Sequence, residues 1–377
     1  MKDQGNGVRQ SVDRRSFMKR SLTTMGTAAA GAVLLSGNRL AFADEGREES
    51  NGSLTAGDAA ILRFVAAAEI IESDFWLQYN ELAGIQDSEV PGGTGIPAFT
   101  AAVAKLDSDM AQYIHDNTDD EFTHARFLNA YLKLKGASTV SLEKFRTLPG
   151  SSATGSSGRK RITNLMQLTV DTSWWTRYRD SSHNPDLNPD FKFKQAVPDL
   201  AVGQHTAIPR TDFDVKHPKF LQAIANTAGF HFATIEQGGS SLYPSLALRA
   251  SDVEVLRILL SIGPTETAHF QTWHDKAGNA VPLTSTDPVT GVKVTFPDLT
   301  TNAVGQELKS NLIMPEPCPF ISTDLPKCSV VRPTATDGIA AGVVQFLTDM
   351  GLFIGQPPAF FDLLNELAED ADAAKRI

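Results

Sequence analysis

Glu121 and His124 stand three residues apart in TDDEFTHARF, and Glu266 and His269 repeat that spacing in ETAH. On an α-helix, residues three apart project within about 60° of each other, so each pair presents an acid and an imidazole together. A single Glu-x-x-His arises by chance on exposed helices. Here the two alternate along the chain with two further acid-bearing apolar stripes. Leu62, Val65, Glu69, Glu72 and Trp76 form one, and Ala225, Ala228, Phe232, Glu236 and Tyr243 form the other. Packing four such helices together would bury at least four carboxylates in one place. Isolated buried carboxylates cost several kcal/mol each, and like charges in one pocket cannot all stay ionised. Two divalent cations would balance a charge of −4, with two neutral imidazoles as further ligands. Oxygen and nitrogen donors in that proportion suit iron or manganese, and zinc less well.

Periodicity supplies the elements that must position these groups. Residues 55–83 carry apolar residues at three and four spacing, with Gly84 as a stop. Residues 97–135 read as one continuous helix, with a break near Asn117 as the alternative, because Thr118 and Glu121 could form a capping box. Residues 218–242 read as a third helix, opened by Pro218. Residues 251–275 read as a fourth, capped by Ser251 with Glu254 and kinked or widened at Gly263-Pro264. Between the second and third lies a patternless stretch, 137–215, whose Trp and Phe content calls for packing on the bundle. Residues 276–335 are strand-and-turn-like, with a hairpin in DPVTGVKVTF, and two helices close the chain.

The order of helix with Glu, helix with Glu-x-x-His, long crossover, helix with Glu, helix with Glu-x-x-His resembles the ferritin-like superfamily, in particular its exported or desiccation-related members. The resemblance covers roughly residues 55–275. It implies an all-α fold: a ferritin-like four-helix bundle at 55–275, a long crossover (137–215) between helices two and three, and a mixed C-terminal extension at 276–377. It implies Glu69 as the first-helix ligand, since Trp76 follows seven residues later, with Glu72 as the rival. Glu236, followed seven later by Tyr243, would be the third-helix ligand. Glu121 and Glu266 would bridge two metal ions, and His124 and His269 would be terminal ligands. Asp120, just before Glu121, would accept a hydrogen bond from the distal nitrogen of His269. The matching place before Glu266 holds Thr265, which departs from the family's pattern. Trp76 and Tyr243 would lie next to the ligands.

Residues 1–43 are a basic leader, an apolar run too short to span a bilayer, and Ala41-Phe42-Ala43 as a cleavage site. Arg14-Arg15 followed by Ser16-Phe17-Met18-Lys19 resembles a twin-arginine export signal, which implies the twin-arginine machinery as a partner and a periplasmic or extracellular destination. The signal segment holds seven Lys/Arg and two Asp/Glu, so the remainder keeps 27 basic and 42 acidic residues, net −15. That charge disfavours nucleic acid and anionic lipid as partners. Cys318 and Cys328 are the only cysteines, and an oxidising compartment makes a disulfide the default, with two free cysteines as the alternative.

The functional expectation is an exported di-metal carboxylate protein reacting with oxygen or peroxide, as a ferroxidase or a stress-protective oxidase. The alternative is a non-catalytic protective envelope protein in which any metal serves stability alone. An iron-storage cage fits less well, since the 79-residue crossover and the C-terminal extension would obstruct shell packing. No nucleophile elbow, P-loop, Rossmann glycine pattern or haem-attachment motif is present.

Overall fold

Thr55 starts the first helix of the computed structural model by accepting a bond from the Asp58 amide at 3.0 Å, while its hydroxyl donates to the Asp58 carboxylate at 2.7 Å. The structure describes residues 52–178, 190–300, 314–316, 322, 324–326, 328–330 and 337–376. Residues 1–43, read from the sequence as an export signal, and Cys318 fall outside them. Cys328 is exposed. The long helices are α1 (Ala56–Ala83), α3 (Met110–Leu134), α6 (Pro218–Ala247) and α7 (Val253–Ala277). Shorter ones are α2 (Pro97–Val103), α4 (Ser173–Arg177) and α5 (Asp212–Val215). Strands β1 (Leu283–Thr286) and β2 (Lys293–Phe296) pair antiparallel, as do β3 (Met314–Glu316) and β4 (Cys328–Val330), before α8 (Ile339–Asp349) and α9 (Pro358–Ala373). No helix among the described residues is long and apolar enough to cross a membrane.

Cross-helix contacts fix the directions. Thr118 bonds to the Trp76 carbonyl and His124 faces Glu69, so α1 and α3 are antiparallel. Tyr243 bonds Glu69 and Trp76 bonds Glu236, so α1 and α6 are antiparallel. Asp120 meets His269, and Asn117 meets Trp273, so α3 opposes α7. Consequently α3 and α6 run the same way, and the chain between them must travel the length of the bundle. That is the physical reason for the long crossover. The bundle is all-α and ferritin-like in topology.

The crossover is latched to α1. Asp74 accepts bonds from the amides of Ile162 (2.9 Å) and Thr163 (2.8 Å) and from the Thr163 hydroxyl (2.7 Å), and it pairs with Arg146. A fully buried ion pair joins Arg161 to Glu81. Trp174 donates to Thr234 on α6 at 2.7 Å and packs on Phe230 and Phe270, so the Trp174-Trp175 pair is packing of the crossover on the bundle. At the other end α9 packs along α1, and the Asp372 carboxylate of α9 caps the amides of Ala340 and Ala341 on α8.

Three boundaries differ from the sequence reading. Residues 97–135 are two helices, broken at 104–109 and not near Asn117. Asp107 accepts from the Asp109 amide at 2.8 Å and pairs with Lys276 at 2.7 Å, a local turn that competes with the helix. Thr118 lies inside α3, its hydroxyl turned back on the Ile114 carbonyl at 2.6 Å, so it caps nothing. The cap of α7 is Asp252, which accepts from the amides of Glu254 and Val255, whereas Ser251 donates its own amide to Asp58. Helix α6 continues through Pro244 to Ala247. Opposite that proline, a Cβ on Gly263 would stand 2.7 Å from Cβ of Tyr243, so only glycine lets α7 approach there. Helix α7 is unbroken across Gly263-Pro264.

Candidate metal centre

The four long helices bring Glu69, Glu121, Glu236 and Glu266 together in the core, each with about 1% exposure or less. Their donor atoms form two sets with the histidines. One is Glu69, Glu121, His124 and Glu266; the other is Glu121, Glu236, Glu266 and His269. Glu121 and Glu266 belong to both. In the first set, Nδ1 of His124 lies 3.2 Å from Glu121 Oε2, 3.3 Å from Glu69 Oε2 and 3.4 Å from Glu266 Oε1. In the second, Nδ1 of His269 lies 3.3 Å from Glu121 Oε1, 3.3 Å from Glu236 Oε2 and 4.0 Å from Glu266 Oε2. Each shared carboxylate therefore turns one oxygen to each histidine. That placement is compatible with carboxylates shared by both donor sets in binding metal.

The donor chemistry fits a cation. Ligands about 2.1 Å from an ion and at right angles to each other lie roughly 3 Å apart. The observed separations are close to that. Moreover, Glu69 Oε2, Glu236 Oε2, both Glu266 oxygens and His269 Nδ1 are buried without a hydrogen-bond partner among the described residues. Those are the atoms turned to the centre. Orphaned buried acceptors are costly unless something positive meets them.

Electrostatics tells the same story through protons. Burial, with the Glu121 charge added, pushes Glu69 up to about 8. Burial and neighbouring carboxylates raise Glu266 and Glu72 well above the ordinary range, and burial raises Glu236 as well. Glu121 goes the other way: burial opposes ionisation, but bonds from His124 and His269 outweigh it. Both histidines are raised, since the surrounding carboxylates outweigh the burial that disfavours their charge. Without cations the cluster must hold protons.

Around the ligands, further donors tie the carboxyl oxygens down. Trp76 Nε1 donates to Glu236 Oε1 at 3.0 Å. Asn117 Nδ2 donates to the same oxygen at 3.1 Å and to Glu121 Oε1 at 2.7 Å, while its own oxygen accepts from Trp273 Nε1 at 2.7 Å. The Tyr243 hydroxyl donates to Glu69 Oε1. Asp120 Oδ2 lies 3.1 Å from His269 Nε2. A Cβ on Gly239 would come within 2.8 Å of Glu266 Oε2.

Of the residues singled out in the sequence, Glu69, Glu121, His124, Glu236, Glu266 and His269 converge, with Asp120, Trp76 and Tyr243 beside them. Glu72 belongs to neither donor set; it sits one turn on from Glu69 and is partly exposed. Sequence reasoning missed Asn117, Trp273 and Gly239. Asn117 was visible as the i−4 neighbour of Glu121 and Trp273 as the i+4 neighbour of His269, both on the ligand face. Gly239 stands three after Glu236 on the same helix, but without a side chain nothing marked it out. His231 is fully buried and not at the centre; its Nδ1 meets the Tyr79 hydroxyl at 2.9 Å. His274 is buried among Trp174, Tyr178 and Phe270. A further grouping, Asp87, Glu89 and His115, sets two exposed acids beside a buried imidazole, with His115 Nε2 3.0 Å from Asp87.

Residues 57–168 match the family model described as a ferritin-like domain. The match spans α1, α2, α3 and the first part of the crossover, under a third of the chain. No curated protein and no solved structure matched the chain. The match agrees with the helix order and topology, and the carboxylate–histidine clusters are compatible with metal binding.

Proposed function

We propose that this chain is an exported ferritin-like protein holding two divalent cations, iron or manganese, with zinc a weaker fit. The observation that carries the reading is the pair of donor sets sharing Glu121 and Glu266. Glu69 and His124 would hold one ion, Glu236 and His269 the other, and the shared carboxylates would bridge them. Glu69 is favoured over Glu72, because only Glu69 stands in a donor set. Bound iron or manganese would supply redox chemistry toward oxygen or peroxide, as in a ferroxidase or a stress-protective oxidase. The chain's own residues fix the ligands, keep bulk water from the carboxylates and exchange protons as cations enter. The histidine side chains, each 12% exposed, are the members of the centre nearest solvent. The leader, with Arg14-Arg15, supports twin-arginine export to the periplasm or beyond, after folding and loading in the cytoplasm.

The test is reconstitution of the full chain with Fe(II) or Mn(II) under anaerobic conditions, followed by metal analysis and oxygen-electrode measurement. Close to two ions per chain, lost when His124 and His269 are both replaced by alanine, is the expected result. Consumption of oxygen or peroxide by the iron-loaded protein is expected with it. Two ions bound with no turnover would leave a protective envelope protein without catalysis. A folded protein that takes up no metal would end the reading.

A further inference from the structure

We infer that the two cation positions are inequivalent and fill in order, the His269 position first, with Asp120 as the positioning residue that sets the difference. The inference rests on the two-cation reading. Its basis is an asymmetry in otherwise matched halves. On both sides a buried glutamate presents one oxygen to the centre while its other oxygen is held from behind: Glu236 by Trp76 and Asn117, Glu69 by Tyr243. These neutral donors all orient a carboxylate while drawing a little charge from it, two of them on Glu236 and one on Glu69.

The histidines are not matched. Asp120 lies 3.1 Å from Nε2 of His269, which places the proton on Nε2 and leaves Nδ1 to face Glu121 and Glu236. An acid behind a ligating imidazole fixes its tautomer and raises its basicity. His124 has no described partner at Nε2. The residue that corresponds to Asp120, one before the shared glutamate of α7, is Thr265, and its hydroxyl turns back to the Ser261 carbonyl at 3.4 Å on its own helix. Among the described residues, the ring of His124 is therefore held by the centre alone. Two observations point the other way: Asn117 also donates to Glu121 Oε1, the oxygen that faces His269, and Glu266 is nearer His124 (3.4 Å) than His269 (4.0 Å). A small carboxylate rotation removes that difference, whereas no rotation of Thr265 supplies an acid.

The experiment is an anaerobic titration of the full chain, cleared of metal by chelation, with Co(II), followed by visible absorption and calorimetry. Two steps are expected, the first at least about tenfold tighter. His269→Ala should remove the tight step, and His124→Ala should remove the weak one. Asp120→Ala should weaken the tight step by roughly 10–100-fold and leave the weak one nearly unchanged. Asp120 is partly exposed, so its loss should not unfold the bundle. Asp120→Glu should restore part of the affinity, and Thr265→Asp should tighten the weak step. Two indistinguishable steps, or an Asp120→Ala change that falls equally on both, overturns the inference while leaving two-cation binding intact. A folded chain that binds no cobalt, manganese or iron overturns both.

Discussion

Gly239 shows how much the centre depends on single atoms. Alanine is a better helix former than glycine by about 1 kcal/mol, so Gly239→Ala should help α6 as a helix. Its Cβ would nevertheless stand 2.8 Å from Glu266 Oε2 and push a shared carboxylate aside. The expected outcome is unchanged far-UV circular dichroism with Co(II) affinity lowered about tenfold or more, a range typical of ligand misplacement by neighbouring groups. Protons make a second prediction at this scale. Glu69 is raised from 4.5 to about 8. Between those values the folded protein binds more protons than the unfolded chain, so stability falls as pH rises. Glu236 and Glu266 act in the same direction, and the raised histidines extend the trend above 6.5. Glu121, held low, contributes stability that disappears only in acid. Chelator-treated protein should therefore show a falling melting temperature from pH 5 to 8. Manganese loading should flatten or reverse that slope, and Glu69→Gln should reduce it. Scanning calorimetry at stepped pH decides.

At the scale of elements, the crossover is held by polar latches as well as by its apolar residues. Asp74 is buried on α1 and accepts three hydrogen bonds from Ile162 and Thr163 besides its pairing with Arg146. Asp74→Ala leaves those donors unmet and should destabilise by about 3–5 kcal/mol, the range for breaking a buried charged pair. The measurement is urea unfolding, with limited proteolysis reporting cleavage first within 137–215. The α6–α7 contact has a different weak point. Gly263→Val would force α7 from Tyr243, the residue that holds Glu69, so it should lower both melting temperature and metal affinity.

For the whole molecule, topology explains why one chain can build a centre from residues nearly 200 positions apart. Two antiparallel pairs, α1 with α3 and α6 with α7, face each other across the ligands, and each pair contributes one Glu and one Glu-x-x-His. The outer side of α1 carries α9, and the latched crossover covers more of the same helix. Those surfaces are then closed to the helix-on-helix contacts that a storage shell would need. Analytical ultracentrifugation of the full chain should show a monomer or small oligomer and no large cage.

Sequence alone determined the helices, their order and the residue types at the centre, because helical periodicity and Glu-x-x-His spacing are local properties. Burial of charge then demanded a counter-charge before any coordinates were known. Local patterns could not decide between Glu69 and Glu72, since both lie on the apolar stripe of one helix; only the packing of α1 against α3 and α7 put Glu69 in a donor set. Nor could they find the break at 104–109, where Asp107 prefers its own turn and the distant Lys276 over a helical run. The roles of Asn117, Trp273 and Gly239 were likewise set by partners 27 to 156 positions away, through contacts that exist only once the four helices meet.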